Sequence, residues 1–155
     1  MKKIAMFKMA ALLLAAGALH AQQTPGTCSN QTLKGTYGLL ISGTRPAPSV
    51  LANSGFYLPG SPEQVIGVVI QTFDGNGNFS QTDNVKGSLS GIIFDRPGSG
   101  SYTVNPDCTG TFSVNNTGIP FPIVNRFVIV NGGTEFRSVV VSPQAVMVMA
   151  HGAKM

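Results

Sequence analysis

From residue 33 onward, apolar and polar residues alternate in short runs, which is the period of a β-strand. The first run places Tyr37, Leu39 and Ile41 on one face of a strand over residues 35–43. No helical period follows the first twenty or so residues. The pattern predicts eight or nine short strands, at 35–43, 65–73, 78–86, 89–94, 100–104, 109–115, 123–130, 135–141 and 145–150.

Turn sequences separate these runs. Residues 74–77 read Asp-Gly-Asn-Gly and residues 131–133 read Asn-Gly-Gly, and both supply the positive φ angles that tight hairpins need. Consecutive hairpins favour an up-and-down meander, and closing the sheet would remove its exposed edges. We therefore predict an all-β fold, a small closed or nearly closed antiparallel β-barrel of about 8 strands. A β-sandwich is the alternative.

Three stretches depart from the alternation. Residues 44–62 are rich in proline, glycine and serine, and they predict a loop of a length that is often functional. The segment 94–100 is broken by Pro97, which we expect to separate two strands. Residues 65–70 are almost continuously apolar, so this strand is either buried on both sides or has an apolar outer face that needs a cover.

The N-terminus has the features of a cleavable signal peptide in their usual order. Two lysines precede an apolar stretch over residues 4–18, and Ala21 supplies a small residue at the cleavage point. The stretch is shorter than the ~20 apolar residues of a membrane span. We therefore expect an exported protein, periplasmic or secreted, with no membrane span after cleavage. The predicted division is a signal peptide at 1–21, a polar lead-in at 22–32 and one barrel domain at 33–155.

Removing the signal changes the charge balance. The full chain carries 10 basic and 6 acidic residues, but three lysines lie in the signal, which leaves a net charge near +1. The remaining basic residues are spread along the chain, which argues against nucleic acid as a partner. The two cysteines are Cys28 and Cys108, and in an oxidising compartment their simplest state is one disulfide. Two free thiols are the alternative.

Three segments resemble a family of small exported bacterial proteins of unassigned function. They are residues 35–38 (GTYG), 72–79 (TFDGNGNF) and 100–111 (GSYTVNPDCTGT), and the last is the most specific. The likeness covers most of the mature chain. The resemblance implies a closed antiparallel barrel of the calycin kind, similar to that of allene oxide cyclases and dirigent-like proteins. It implies no activity, because no catalytic residue of those enzymes matches a position in this sequence.

Residue types that commonly carry catalysis are scarce. His151 is the single histidine of the mature chain, and without a nucleophile motif it does not indicate a Ser-His-Asp triad. The turn that starts at Asp74 has the oxygen spacing that opens a calcium loop, but Phe79 stands where that loop requires glycine. We therefore expect no metal and no cofactor, and we favour a noncatalytic protein while leaving enzymatic activity open.

Four charged residues on predicted strands are candidates for polar contacts to a ligand: Asp83, Arg126, Glu135 and Arg137. Asp83 shares a strand face with Phe79, so it would enter a barrel together with that ring. We favour a solvated outer position for Asp83 and Glu135, with an inward orientation as the alternative. Cross-strand pairing of opposite charges likewise favours an outer ladder for Arg126, Glu135 and Arg137, whereas inside a barrel they would anchor an anionic head group.

Three functions follow from a barrel of this kind. The first is binding of a small apolar ligand in the interior, with loop 44–62 as a lid and an aromatic lining of Tyr37, Tyr102, Phe112 and Phe127. The second is an isomerase or cyclase resembling allene oxide cyclase. The third is a structural or surface-interaction protein whose barrel is filled by side chains. We favour the first, and cavity volume and polarity distinguish the three. The sequence leaves the oligomeric state open.

Overall fold

The structure, a computed structural model, describes residues 27–47 and 60–155. Eight antiparallel strands form a closed barrel in which each strand pairs with the next and the last pairs with the first. The strands are β1 Gly35–Pro46, β2 Pro62–Phe73, β3 Asn78–Gly87, β4 Gly91–Val104, β5 Thr109–Asn116, β6 Ile123–Val130, β7 Glu135–Ser142 and β8 Met147–Lys154. The predicted barrel and its meander order are confirmed, and the β-sandwich alternative is wrong.

The strand break predicted at Pro97 is absent, because β4 continues through it. Pairing of β4 with β5 begins only at Gly98, so Pro97 lies where β4 is an edge on that side and one missing N–H is tolerated. On the other side a register shift between Asp83 and Val85 forms a bulge, and Asp95 adopts a left-handed φ of 47° beside it. One long bent strand therefore replaces the two short ones.

The predicted loop at 44–62 is shorter than the sequence indicated. β1 continues to Pro46 and β2 begins at Pro62, and these two prolines face each other in the β1–β2 ladder. Proline is acceptable there because it stands at a strand terminus. Residues 48–59, and with them most of the predicted lid, lie outside the described residues, as does the predicted signal peptide at 1–21.

One half of the barrel is filled by aromatic rings, which we call the aromatic cluster. Its members pack mainly edge to face, with the ring centroids of neighbours 4.9–6.3 Å apart. They are Tyr37, Phe73, Phe79, Tyr102, Phe112, Phe127 and Phe136. A short 3-10 helix, Asn30–Leu33, covers this end, and Leu33 is fully buried in the same core. This end of the barrel is therefore closed by side chains.

A disulfide between Cys28 and Cys108 holds the described part of the lead-in against the β4–β5 turn. The two Cα atoms are 5.0 Å apart, within the usual range for a disulfide. The predicted pairing is confirmed. In the described ranges, none of the helices has the length and apolar character needed to cross a membrane.

Candidate functional site

The other half of the barrel contains a partly open cavity of about 100 Å³. Phe112 of the aromatic cluster borders the cavity, and Arg45 and Ile119 line it near the opposite end of the strands. Most of its wall is aliphatic, with contributions from Leu39, Ile41, Val65, Val69, Val85, Val114, Val140 and Val148. A cavity of ~150 Å³ lined by apolar side chains binds benzene. The space here therefore suits a small ring or a short chain.

Asp83 and Arg96 form a buried ion pair in the cavity wall. Nε and Nη2 of Arg96 donate to the two carboxylate oxygens of Asp83 at 3.0 and 2.9 Å, and Asp83 is only 2% exposed. The favoured outer position for Asp83 is therefore wrong. Asp83 follows Phe79 on the inward face of β3, and Arg96 faces it across the β3–β4 ladder and supplies the opposite charge that a buried carboxylate needs.

A second buried ion pair joins Arg45 to Glu63 near the end of the barrel where β1 stops. Glu63 accepts hydrogen bonds from Arg45 Nε at 2.8 Å, from the Ser90 hydroxyl and backbone N–H at 2.9 Å each, and from Leu89 N–H at 3.2 Å. Burial opposes ionisation of Glu63, but these hydrogen bonds outweigh it and lower its pKa below the usual value. The pair thereby ties the β1–β2 hairpin to the β3–β4 turn.

Sequence reasoning missed both residues, because Arg45 fell within the predicted loop at 44–62 and Glu63 stood at its edge. The signal was present in the alternation of β2, since Glu63 stands two residues before Val65 and therefore shares its inward face. An isolated glutamate beside proline did not indicate a strand.

Amide side chains complete the polar part of the wall. Gln81 Nε2 donates to Asn116 Oδ1 at 3.0 Å, so these two amides satisfy each other in part. Gln71 is different: it is fully buried and lines the cavity, and neither its Nε2 nor its Oε1 has a hydrogen-bond partner among the described residues. An unpaired buried amide is uncommon in folded proteins and calls for an explanation.

The remaining charged candidates lie on the outer surface, as favoured above. Glu135 Oε2 is 3.1 Å from His151 Nε2, and both side chains are partly or largely exposed. Arg126 Nη1 donates to Thr111 Oγ1 at 3.3 Å, and Arg137 is exposed on β7 opposite His151. The structure does not bring these residues to the cavity.

Of the four aromatic candidates, only Phe112 lines the cavity. Tyr37, Tyr102 and Phe127 instead fill the closed half of the barrel. Tyr37 donates its hydroxyl to the Gly133 carbonyl, and Tyr102 donates to the Asn30 carbonyl at 3.0 Å. Burial raises the pKa of both hydroxyls. The two tyrosines therefore act as packing groups with satisfied polar ends.

No group of three or more His, Cys, Asp or Glu side chains in the described ranges could hold a metal ion. Comparisons with protein-family models, with curated proteins and with solved structures found no match. The topology and geometry of the chain itself therefore define the class of fold. It is a closed eight-stranded antiparallel barrel with an apolar cavity that carries a few polar side chains.

Proposed function

We propose that this chain is an exported, noncatalytic binding protein that holds a small, mainly apolar molecule inside its barrel. The observation that carries the proposal is the cavity of about 100 Å³ between the aromatic cluster and the Arg45 end of the strands. Binding sites for small molecules are typically largely preformed, apolar, and set with a few fixed polar groups. The Asp83–Arg96 pair and the Gln81–Asn116 contact supply such groups at fixed positions.

The filled-barrel alternative fits only half of the molecule. The aromatic cluster packs one end completely, as a structural barrel would require, but the aliphatic half leaves space that longer side chains would occupy. Ala150 has the shortest side chain in the apolar part of the cavity wall, so we expect a leucine at this position to extend into the space. If a barrel were selected only for stability, such space would be filled, because filling it increases both the dispersion contacts and the apolar burial of the wall.

One observation favours the second candidate, an isomerase or cyclase resembling allene oxide cyclase. Asp83 is a buried carboxylate in the wall of an apolar cavity, where such groups often serve as acids or bases. Arg96, however, donates to both carboxylate oxygens. A carboxylate held in this way orients the arginine and is a poor acceptor for a substrate proton. We therefore place binding first.

Native mass spectrometry of the chain, expressed with export and purified without denaturant, tests the proposal. We expect a co-purified molecule at a defined stoichiometry, and we expect its loss in Ala150→Leu, which fills the cavity. The matched control is Ala153→Leu, an exposed position on the outer face of β8. Equal ligand loss in both variants, or a bare protein mass that persists when small apolar compounds are added, would contradict interior binding.

A further inference from the structure

The amide of Gln71 restricts what the cavity accepts. Its two polar atoms are buried and unpartnered within the described part of the chain, whereas the polar groups around it are engaged. Asp83 is held by Arg96, and the Gln81 amide donates to Asn116. The only other buried side-chain atom without a partner in the described ranges is the Ser138 hydroxyl, and Ser138 is outside the cavity wall.

A buried donor and acceptor on one amide lose their water without compensation unless a partner arrives. A ligand that satisfies both at once must present an acceptor and a donor side by side. We infer that the ligand carries a cis N–H/C=O edge, as in a lactam or a cyclic imide, and pairs this edge with Gln71. The inference rests on the proposed interior binding site. It does not depend on which terminal atom of Gln71 is nitrogen, because such an edge can turn over to match either arrangement.

The rest of the wall agrees with a small ring of this class. Leu39, Val69 and Val114 line the cavity with aliphatic surface that suits the hydrocarbon part of the ring. The volume of about 100 Å³ lies below the ~150 Å³ that accommodates benzene. A five-membered lactam is therefore a suitable probe, and cyclopentanone is its matched control, because it keeps the ring and the carbonyl but lacks the N–H donor.

We would titrate the isotope-labelled, exported chain separately with 2-pyrrolidone and cyclopentanone and follow amide chemical shifts by NMR. The expected result is that 2-pyrrolidone binds roughly tenfold more tightly than cyclopentanone, the ratio that one additional buried hydrogen bond can provide. The side-chain NH₂ signal of Gln71 should shift as 2-pyrrolidone is added. Gln71→Leu keeps the approximate volume, removes an unsatisfied polar group, and should fold while binding the two probes equally.

The outcomes separate this inference from the proposed function. If both probes bind with equal affinity to the unmodified chain and shift the signals of the cavity wall, interior binding stands and the cis-amide inference is overturned. Ordered water would then be the usual partner of Gln71. If neither probe affects the wall, the proposed function and the inference fail together. A lactam preference that survives in Gln71→Leu would also overturn the role assigned to Gln71.

A different observation carries a second proposal. Eight large apolar side chains are exposed on neighbouring strands, each with 49–71% of its surface accessible. This outer apolar face consists of Leu40, Ile66, Val68, Ile70, Val139, Val141, Met147 and Met149. It is continuous, because Leu40 pairs with Val68, and Met149 lies opposite both Ser42 of β1 and Val139 of β7. The outward positions of β3 to β5 are mainly Ser, Thr and Asn, apart from Ile92 and Phe94 of β4, which are also exposed.

The area of this face matches what a protein dimer buries. Eight side chains exposed to this degree present on the order of 800 Å² of surface, the amount that each partner contributes to a standard-size interface. None of the eight is charged, and Lys86 and His151 border the face opposite Ile66 and Leu40. Two copies would therefore meet through neutral surface and keep their charges at the rim. We propose that the outer apolar face is the contact between two copies of this chain.

Sedimentation velocity of the exported chain over a range of concentrations tests the second proposal. We expect a monomer–dimer equilibrium that Val68→Lys shifts to monomer by more than tenfold in dissociation constant. Val68 is already exposed, so this variant should fold, and thermal unfolding would verify it. Ser101→Lys, on the polar outer face of β4, is the control and should leave the dimer intact. A monomer at every concentration would overturn the proposal. Binding of that monomer to phosphatidylglycerol vesicles would not rescue it, because a lipid surface and not a second copy would then cover the face.

Discussion

At the scale of single residues, the buried pair of Glu63 and Arg45 couples stability to pH. Because the pKa of Glu63 is lower in the folded chain than in the unfolded chain, its contribution is complete above the unfolded value, about 4.3. That contribution is lost as the pH falls through the folded value. We expect Glu63→Gln to lower the free energy of unfolding by about 3 kcal/mol at neutral pH, since it leaves Arg45 buried without a counter-charge.

Urea unfolding of both proteins from neutral to acidic pH measures this difference, which should shrink once Glu63 is protonated in the parent chain. Glu135→Gln is the matched control, because Glu135 lies near His151 on the surface and such exposed pairs contribute little to stability. A constant difference between parent and Glu63→Gln at all pH values would contradict the assigned role of the carboxylate.

The same residues mark how far sequence reasoning reaches. The alternation over Phe79, Asp83 and Val85 correctly placed all three on one face of β3. It did not reveal that this face is the interior, because the partner that makes a buried Asp83 tolerable, Arg96, stands beyond a bulge in the next strand. Pairing across a bulge depends on register, and register is a tertiary property. Gln71 was missed as well, although it alternates with Val69 and Phe73 on one face of β2, because an amide within a strand is ordinarily solvated.

At the scale of strands, glycines determine where the aromatic cluster fits. A Cβ atom added to Gly152 of β8 would lie 2.5 Å from Cε1 of Phe136, its cross-strand partner, and the nearest atoms all belong to that ring. We expect Gly152→Ala to cost about 1–3 kcal/mol through overpacking. Thermal and urea unfolding measure this loss of stability. The control is Ala153→Ser at the exposed neighbouring position, which should change stability by less than about 0.5 kcal/mol.

A double-mutant cycle identifies the cause. Phe136→Leu removes part of the ring that Gly152→Ala meets, so the double variant should lose less stability than the sum of the two single changes. Additive losses would mean that Gly152 matters for backbone freedom and not for the close approach of Phe136. The sequence contained a related pattern, in which Gly100 precedes Tyr102 and Gly110 precedes Phe112 by two residues. This pattern is typical of local β packing, but it does not indicate which ring on a neighbouring strand each glycine accommodates.

At the scale of the whole molecule, closure of the sheet explains both the successes and the errors of the sequence prediction. Hairpin turns and alternation gave the strand order, because each strand pairs with its neighbour in the chain. The last strand was predicted to end at 150 but continues to Lys154, since β8 completes the barrel by pairing with β1 as well as β7. For β2 the sequence left open burial on both sides or an apolar outer face, and the structure has the second, because Ile66, Val68 and Ile70 are exposed. Met147 and Met149 are also exposed, on β8 at the other side of β1.

The disulfide acts on the whole chain, because it closes a loop of 80 residues between Cys28 and Cys108. Loop closure restricts the unfolded chain more than the folded barrel and predicts a stabilisation of about 4 kcal/mol. We expect the double variant Cys28→Ser/Cys108→Ser to unfold at lower urea concentration with its cavity unchanged, so that probe binding at low urea is retained. Reductant should lower the urea midpoint of the parent chain to that of the variant and leave the midpoint of the variant unchanged. Equal stability of the two proteins without reductant would show that the bond contributes nothing, and lost probe binding would show that it shapes the cavity as well.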